Sequence, residues 1–170
     1  AERGPVYGGV CNAGITRDGL APNLTQDDWD QVIDINLTGS WNAVKAVLPK
    51  MYERKEGALV FISSIVGERG NIGQANYAAS KGAVISLAKA LALAGARYGV
   101  RANTVAPGFI ETDMLKPIPE KVQEKIIRQI PMRRFGKPEE IAWACAFLLS
   151  PEAGSFITGE TVAVNGGHHT

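Results

Sequence analysis

The sequence predicts an α/β domain, a parallel sheet wound on both sides by helices, and three features predict it. Short apolar runs at residues 6–11, 58–62, 100–106 and 161–164 are nearly unbroken in apolar character, as strands buried on both faces require. Longer stretches of helical periodicity separate them, so each connection reads as a βαβ crossover. The first three runs lead into turn-forming polar or Gly-Pro residues, Asn12-Ala13-Gly14, Ser63-Ser64 and Pro107-Gly108. An open parallel sheet places its functional site beyond such carboxyl ends.

The elements follow in order. After the first run, Thr25-Gln26-Asp27-Asp28 resembles a capping box, although Asp in the fourth place is a shorter partner than Glu. It opens a helix that carries Trp29, Val32, Ile33 and Asn36 toward Met51, with Gly57 as its expected stop before the second strand. A second, Ala-rich helix is expected over residues 74–97, closed by Gly99 ahead of the third strand. Residues 119–130 form an amphipathic pattern, and Lys137-Pro138-Glu139-Glu140 opens a last helix with Pro near its first position and acids in its first turn. That helix is expected to bury Ile141, Ala144, Cys145 and Leu148. No repeat or linker divides the chain, so residues 1–170 read as one domain.

Composition excludes several classes of function. The formal charge of +1, from 18 basic and 17 acidic residues, is spread along the chain, without the basic stripe that nucleic acid would need. No apolar run reaches the ~20 residues of a membrane span, and the opening Ala1-Glu2-Arg3-Gly4-Pro5 has no apolar core of a signal peptide. A soluble, cytoplasmic protein with neither nucleic-acid nor membrane partners is the expectation. Cys11 and Cys145 lack a CxxC spacing and read as small buried hydrophobes. His168 and His169 are adjacent, lack the i,i+4 spacing of paired metal ligands and read as a solvated tail, so no metal site is expected.

The residues that carry chemistry centre on Tyr77-Ala78-Ala79-Ser80-Lys81. Tyr77 and Lys81 stand at i and i+4, on one face of a helix. A free phenol has a pKa of ~10, too high for acid–base work at neutral pH, whereas a lysine cation ~4 Å away offers about 4 kcal/mol of attraction at an effective dielectric of ~20. The expectation is a phenolate favoured by Lys81. Ser64, just past the second strand, can donate to a substrate carbonyl oxygen while Tyr77 delivers a proton. Taken singly, Asn36 could be an ordinary polar helix residue, Ser64 a turn residue and Pro107-Gly108 a turn.

Together with Asn12-Ala13-Gly14, the segment Pro107-Gly108-Phe109-Ile110-Glu111-Thr112 and the closing Asn165-Gly166-Gly167, the chain resembles the short-chain dehydrogenases/reductases over nearly its whole length. Within that family the phrases NAGITRD, GQANYAASKGA, PGFIETDM and ITGETVAVNGG are most similar to the 3-oxoacyl-(acyl-carrier-protein) reductases, with acetoacetyl-coenzyme-A reductases as near relatives. The resemblance implies a Rossmann-like doubly wound sheet of which this is the C-terminal part. It also implies reduction of a 3-oxoacyl thioester to a 3-hydroxyacyl thioester with NADP, or NAD, as cofactor. Carried over by resemblance, Asn36, Ser64, Tyr77 and Lys81 form the catalytic tetrad. Asn36 would hold a helix irregularity and a relay water, and Lys81 would also bind the nicotinamide ribose. Asn12, Ala13 and Gly14 would support the sheet beside the cofactor, and Pro107, Gly108, Ile110 and Thr112 would hold the nicotinamide and phosphates. The substrate would be carried by acyl carrier protein or coenzyme A, and the family's habit of forming dimers and tetramers implies a homo-oligomer.

Residues 113–135, with Pro117, Pro119 and Pro131, are expected to lid the substrate pocket. Lys55, Arg97, Arg133 and Arg134 are candidates for steering an acidic carrier protein or coenzyme A phosphates, against the default of surface charge. Three departures from the family pattern stand out. The Gly-rich TGxxxGxG turn that cradles pyrophosphate at a helix N-terminus is not among these 170 residues. The usual NNAG begins with Cys11, and the acidic residue late in the catalytic helix is replaced around Leu93-Ala94. The rival reading is a cofactor-deficient binding or assembly module, in which the edge strand at residues 6–11 is exposed to pairing. Hydrolysis by Ser64 has little support, since no G-x-S-x-G elbow surrounds it.

Overall fold

A computed structural model describes residues 4–115 and 118–170. Four parallel strands, β1 (Gly8–Cys11), β2 (Gly57–Ile62), β3 (Val100–Pro107) and β4 (Thr161–Val164), lie side by side in the order β1-β2-β3-β4. Six α-helices connect them: α1 (Gln26–Ile33), α2 (Gly39–Arg54), α3 (Ile65–Arg69), α4 (Ala75–Gly95), α5 (Glu120–Gln129) and α6 (Pro138–Leu149). All four strand runs stand where the sequence places them, and its four expected helices appear, the first divided into α1 and α2 by a π-helical turn at Asp34–Thr38. The short α3 after Ser64 is an addition.

Alternation along the central strands divides the core in two. Leu59 and Phe61 of β2 face Val44 and Met51 of α2 and Val84, Ala88 and Leu91 of α4. On the other side Val60 and Val105 face Cys145 and Leu148 of α6. The sheet is therefore covered on both faces, as a doubly wound fold requires. The strand order advances in one direction throughout, while the crossover helix moves from the α2/α4 face to the α6 face. The connection from β3 to β4 thus has the opposite hand to the two before it, a departure from the usual right-handed rule that apolar runs cannot encode.

Four local expectations are refined. Thr25 and Asp28 complete both arms of the capping box, with Asp28 N donating to Thr25 Oγ1 at 3.1 Å and Thr25 N to Asp28 Oδ2 at 3.3 Å. Gly57 is not the helix stop: it opens β2, where a Cβ would meet Met51 Sδ at 2.8 Å, and the left-handed cap of α2 is Lys55 at φ 58°. Cys145 is buried as expected, but Cys11 at the edge of the sheet is half-buried. The segment Ala75–Tyr98 is long and apolar enough in composition to cross a membrane, which the apolar-run reading did not detect. It is the core helix of the sheet and buries Asn76, Ser80 and Lys81.

A buried cation fixes α6 to the sheet. Arg101 of β3 donates to Leu148 O at 2.6 Å and Ser150 O at 3.1 Å, with longer bonds to Ile157 O and Leu149 O. Leu148, Leu149 and Ser150 lie at the C-terminal end of α6, the negative end of its dipole, so the guanidinium is held by helix-end carbonyls and by Ile157 O from the segment before β4. Arg101→Met is expected to leave them without donors and cost about 2–3 kcal/mol. A lowered urea midpoint with an unchanged slope would register the loss. A midpoint within error of wild type would show that water replaces the guanidinium.

Candidate active site

The site is assembled beyond the carboxyl ends of β1, β2 and β3. The residues after β1 run over the start of α4, those after β2 turn into α3, and those after β3 lie against the end of β4.

Asn36 sits in a π-helical turn, Asp34–Thr38, between α1 and α2. The wider turn spares Asn36 from an ordinary helix position, and the side chain, 0% exposed, points into the structure. Its Oδ1 accepts from Ile15 N at 2.8 Å, and its Nδ2 donates to Ile15 O at 3.1 Å and Ser80 Oγ at 3.0 Å. The helix irregularity implied by family resemblance is present. Gly14 lies against this group: a Cβ there would stand 3.2 Å from Lys81 Nζ and 3.3 Å from Asn36 Oδ1.

Lys81, 4% exposed, donates from Nζ to Ile62 O at 2.7 Å. Burial lowers its pKa to about 8. Nζ stands 5.7 Å from the centroid of the Tyr77 ring. Ser63 Oγ donates to Lys81 O at 2.7 Å, and a Cβ on Gly67 would come within 2.8 Å of Ser63 Oγ and of Lys81 Cβ. The glycine therefore allows α3 to press against α4 at the lysine. This explains why a short helix follows Ser64.

Tyr77 departs from expectation. Burial pushes its phenol above the ordinary value, opposed by a hydrogen bond with Ser64 and reinforced by the nearby charge of Asp18. Burial therefore works against the phenolate anticipated beside Lys81. Burial penalises the phenolate and the ammonium alike, and Lys81 directs a donor to Ile62 O. Ser64 caps α3, its Oγ accepting from Val66 N at 3.1 Å.

Asn12, Ala13 and Gly14 are exposed at the end of β1, and Pro107 ends β3. Gly108 N donates to Val164 O at 3.0 Å, and a Cβ on Gly108 would meet Asn165 Cα at 2.9 Å. Ile110 forms an isolated bridge with Gly136, and Thr112 is exposed. β1 and β3 flank β2, so the two groups lie on either side of the carboxyl end of β2. Among the described residues no cluster of three or more His, Cys, Asp or Glu could hold a metal.

Several neighbours were not legible as site residues. Asp18 is held by Gln74 Nε2 at 3.1 Å, and Gly19 N donates to Gly73 O at 2.8 Å, so the segments before Leu24 and before α4 are clasped together. His168 is not a solvated tail: it is half-buried and stacks on Phe109 with centroids 5.7 Å apart. Burial lowers its pKa, and the charge of Arg69 adds to that. Of the four basic candidates, Arg134 is engaged with Glu140 at 2.6 Å, Arg97 lies over the Tyr98 ring and Arg133 donates to Arg128 O. Lys55 serves as the cap of α2. The expected lid includes Lys116 and Pro117, which lie outside the described residues, and the described part carries a 3-10 turn and α5.

A doubly wound sheet with a tyrosine and lysine on one helix, a serine just past the preceding strand and an asparagine in a π-helical turn defines an oxidoreductase of the Rossmann-like class. A family model described as enoyl-(acyl carrier protein) reductase matches residues 1–169. The chain is 62% identical over 167 residues to an acetoacetyl-CoA reductase of Synechocystis, covering 98% of this chain and 70% of that protein. It is 48% identical over 158 residues to a 3-oxoacyl-(acyl-carrier-protein) reductase of Thermotoga maritima, covering 93% of this chain and 64% of that protein. An acetoacetyl-CoA reductase of Shinella zoogloeoides is 49% identical over 168 residues, covering 98% of this chain and 69% of that protein. The chain spans about two thirds of the length of these relatives. It belongs to the short-chain dehydrogenase/reductase family.

Proposed function

We propose that this chain carries the catalytic part of a reductase that converts a 3-oxoacyl thioester to a 3-hydroxyacyl thioester, with acetoacetyl thioesters as the first substrate class to test. The observation that carries the reading is the meeting of Ser64, Tyr77 and Lys81 at one strand end, with Asn36 beneath them. The names of the relatives support the choice of acyl thioester. In this reading Ser64 donates a hydrogen bond to the 3-oxo oxygen and Tyr77 Oη gives that oxygen its proton. The dihydronicotinamide, when bound, supplies the hydride to the carbonyl carbon.

The residues present fit such a cofactor. Lys81 Nζ has spent one of its three donors on Ile62 O, leaving others for ribose hydroxyls. Asn12, Ala13 and Gly14 on one side and Pro107, Gly108, Ile110 and Thr112 on the other are the groups proposed to flank the nicotinamide, with NADPH as the preferred form. The substrate lid at residues 113–135, a homodimeric or tetrameric assembly and a cytoplasmic setting belong to the same reading. Leu93, 84% exposed on α4, is an apolar surface such an assembly would cover.

Isothermal titration of the chain with NADPH and with NADH tests the proposal. Micromolar binding of either, followed by reduction of acetoacetyl-CoA, is the expected outcome. Binding of neither would move the reading to a module that keeps the family scaffold for assembly.

A further inference from the structure

Asn76 directly precedes Tyr77, yet its side chain points away from the reacting groups, is 0% exposed and is fully engaged. Gln74, the N-cap residue of α4, makes no side-chain capping bond. Asn76 supplies one instead: its Oδ1 accepts from Tyr77 N at 2.8 Å. Its Nδ2 donates to Arg17 O at 3.0 Å and to Asp28 O at 3.1 Å. One amide thus joins the backbone of Tyr77, the segment after β1 and the first turn of α1.

The chemistry of the three partners demands asparagine. Two carbonyl oxygens need two N–H donors, and one backbone amide needs an acceptor. A flipped amide would set nitrogen against the Tyr77 N–H and oxygen against both carbonyls. Aspartate keeps the acceptor but turns a carboxylate toward Arg17 O and Asp28 O, leaving each without its donor.

The arrangement also has a purpose beyond stability. Asn36 fixes Ile15 through both its donor and its acceptor, and Asn76 fixes Arg17 two residues later. Between and beside these anchors lie Gly14, pressed against Lys81, and Asp18, whose charge acts on the Tyr77 phenol. We propose that Asn76 is a positioning residue for proton transfer, which holds Tyr77 and the segment carrying Gly14 and Asp18 in one register. The proposal deepens the reductase reading and rests on it for its kinetic consequence, since the same spacing would set the approach of the phenol to the substrate oxygen.

Asn76→Asp separates the two functions of the side chain, because it retains the cap on Tyr77 N and loses both donors. Its expected effect is a drop in kcat for acetoacetyl-CoA reduction of about 10- to 100-fold with KM nearly unchanged, the size expected of a misplaced reacting group. A second readout does not depend on turnover. The ultraviolet titration of Tyr77, isolated by subtracting the Tyr77→Phe protein, should move toward that of a free phenol as Asp18 and the ring lose their register. A folded Asn76→Asp protein with the Tyr77 titration of wild type would overturn the proposal. If wild type itself shows no reductase turnover, the functional reading fails while the titration still decides the inference. Should Asn76→Asp not fold, Asn76→Gly, which leaves space for water at all three partners, carries the same two measurements. Failure of both variants to fold would make Asn76 a stability residue and overturn the positioning role.

Discussion

Tyr77→Phe is expected to leave the fold intact and to lower acetoacetyl-CoA reduction by about 10²- to 10⁴-fold, the range for loss of a positioned general acid. The ring is half-buried against Ser64 and Lys81, and phenylalanine retains its packing. Only the hydroxyl is lost. Lys81 keeps its bond to Ile62 O, so dinucleotide affinity should change little and the deficit should fall on kcat. The raised phenol has a further consequence. In the free enzyme Tyr77 remains protonated through neutral pH and is ready to give a proton, while Lys81 is the group that titrates near 8. In the direction of reduction, kcat/KM of wild type should therefore bend near pH 8 rather than near 10. A Tyr77→Phe protein that retained more than a tenth of wild-type kcat would remove the phenol from the chemistry.

How far the site was legible in the sequence depended on whether a residue acts through its type and spacing or through its surroundings. The i,i+4 pair Tyr77 and Lys81, and Ser64 at a strand end, announce themselves because a few residue types can do proton transfer and their spacing fixes their face. Strand runs were equally plain, since parallel strands buried on both sides must be apolar throughout. Burial was not plain. The sign of the Tyr77 shift depends on how much water its neighbours exclude, and the lysine that a helical wheel brings close lies 5.7 Å from the ring and faces Ile62 O.

The residues whose roles could not be read from spacing share a physical reason. Asn76, Asn36 and Arg101 each work through backbone groups far away in the chain, Asn76 reaching Arg17 across 59 positions and Arg101 reaching Leu148 across 47. Backbone carbonyls leave no trace in a residue pattern. Asn36 stands out only by family resemblance, and Asn76, next to Tyr77, shows no pattern of type or spacing that marks it. The change of face between the second and third crossovers was hidden for a related reason. Helices α4 and α6 are apolar over most of their circumference rather than along one stripe, so nothing in either sequence says which side of the sheet it will meet.

Lys81→Met should abolish reduction and at the same time stabilise the protein at neutral pH. An ammonium 4% exposed, with one backbone carbonyl as its recorded hydrogen-bond partner, has lost much of its hydration, and its pKa falls from 10.5 to about 8. A fall of that size corresponds to about 3 kcal/mol of preference for the neutral form. The sign follows from proton binding. Below pH 8 both folded and unfolded chains hold the proton, and the full cost of burying the charge is present. Between 8 and 10.5 the unfolded chain holds more protons than the folded one, so stability rises with pH until the cost is gone. Methionine matches the lysine stem in length and carries no charge, so it should gain stability of the order of 1–3 kcal/mol at pH 7. The difference between wild type and variant should shrink steadily from pH 8 to 10.5, which cancels the contributions of Tyr77, Cys11 and Cys145 common to both. Denaturant midpoints across that range measure it. A variant less stable than wild type at pH 7, or a difference independent of pH, would mean that Lys81 holds its charge at no cost to the fold. The expected result would identify this lysine as a buried cation kept at the expense of stability.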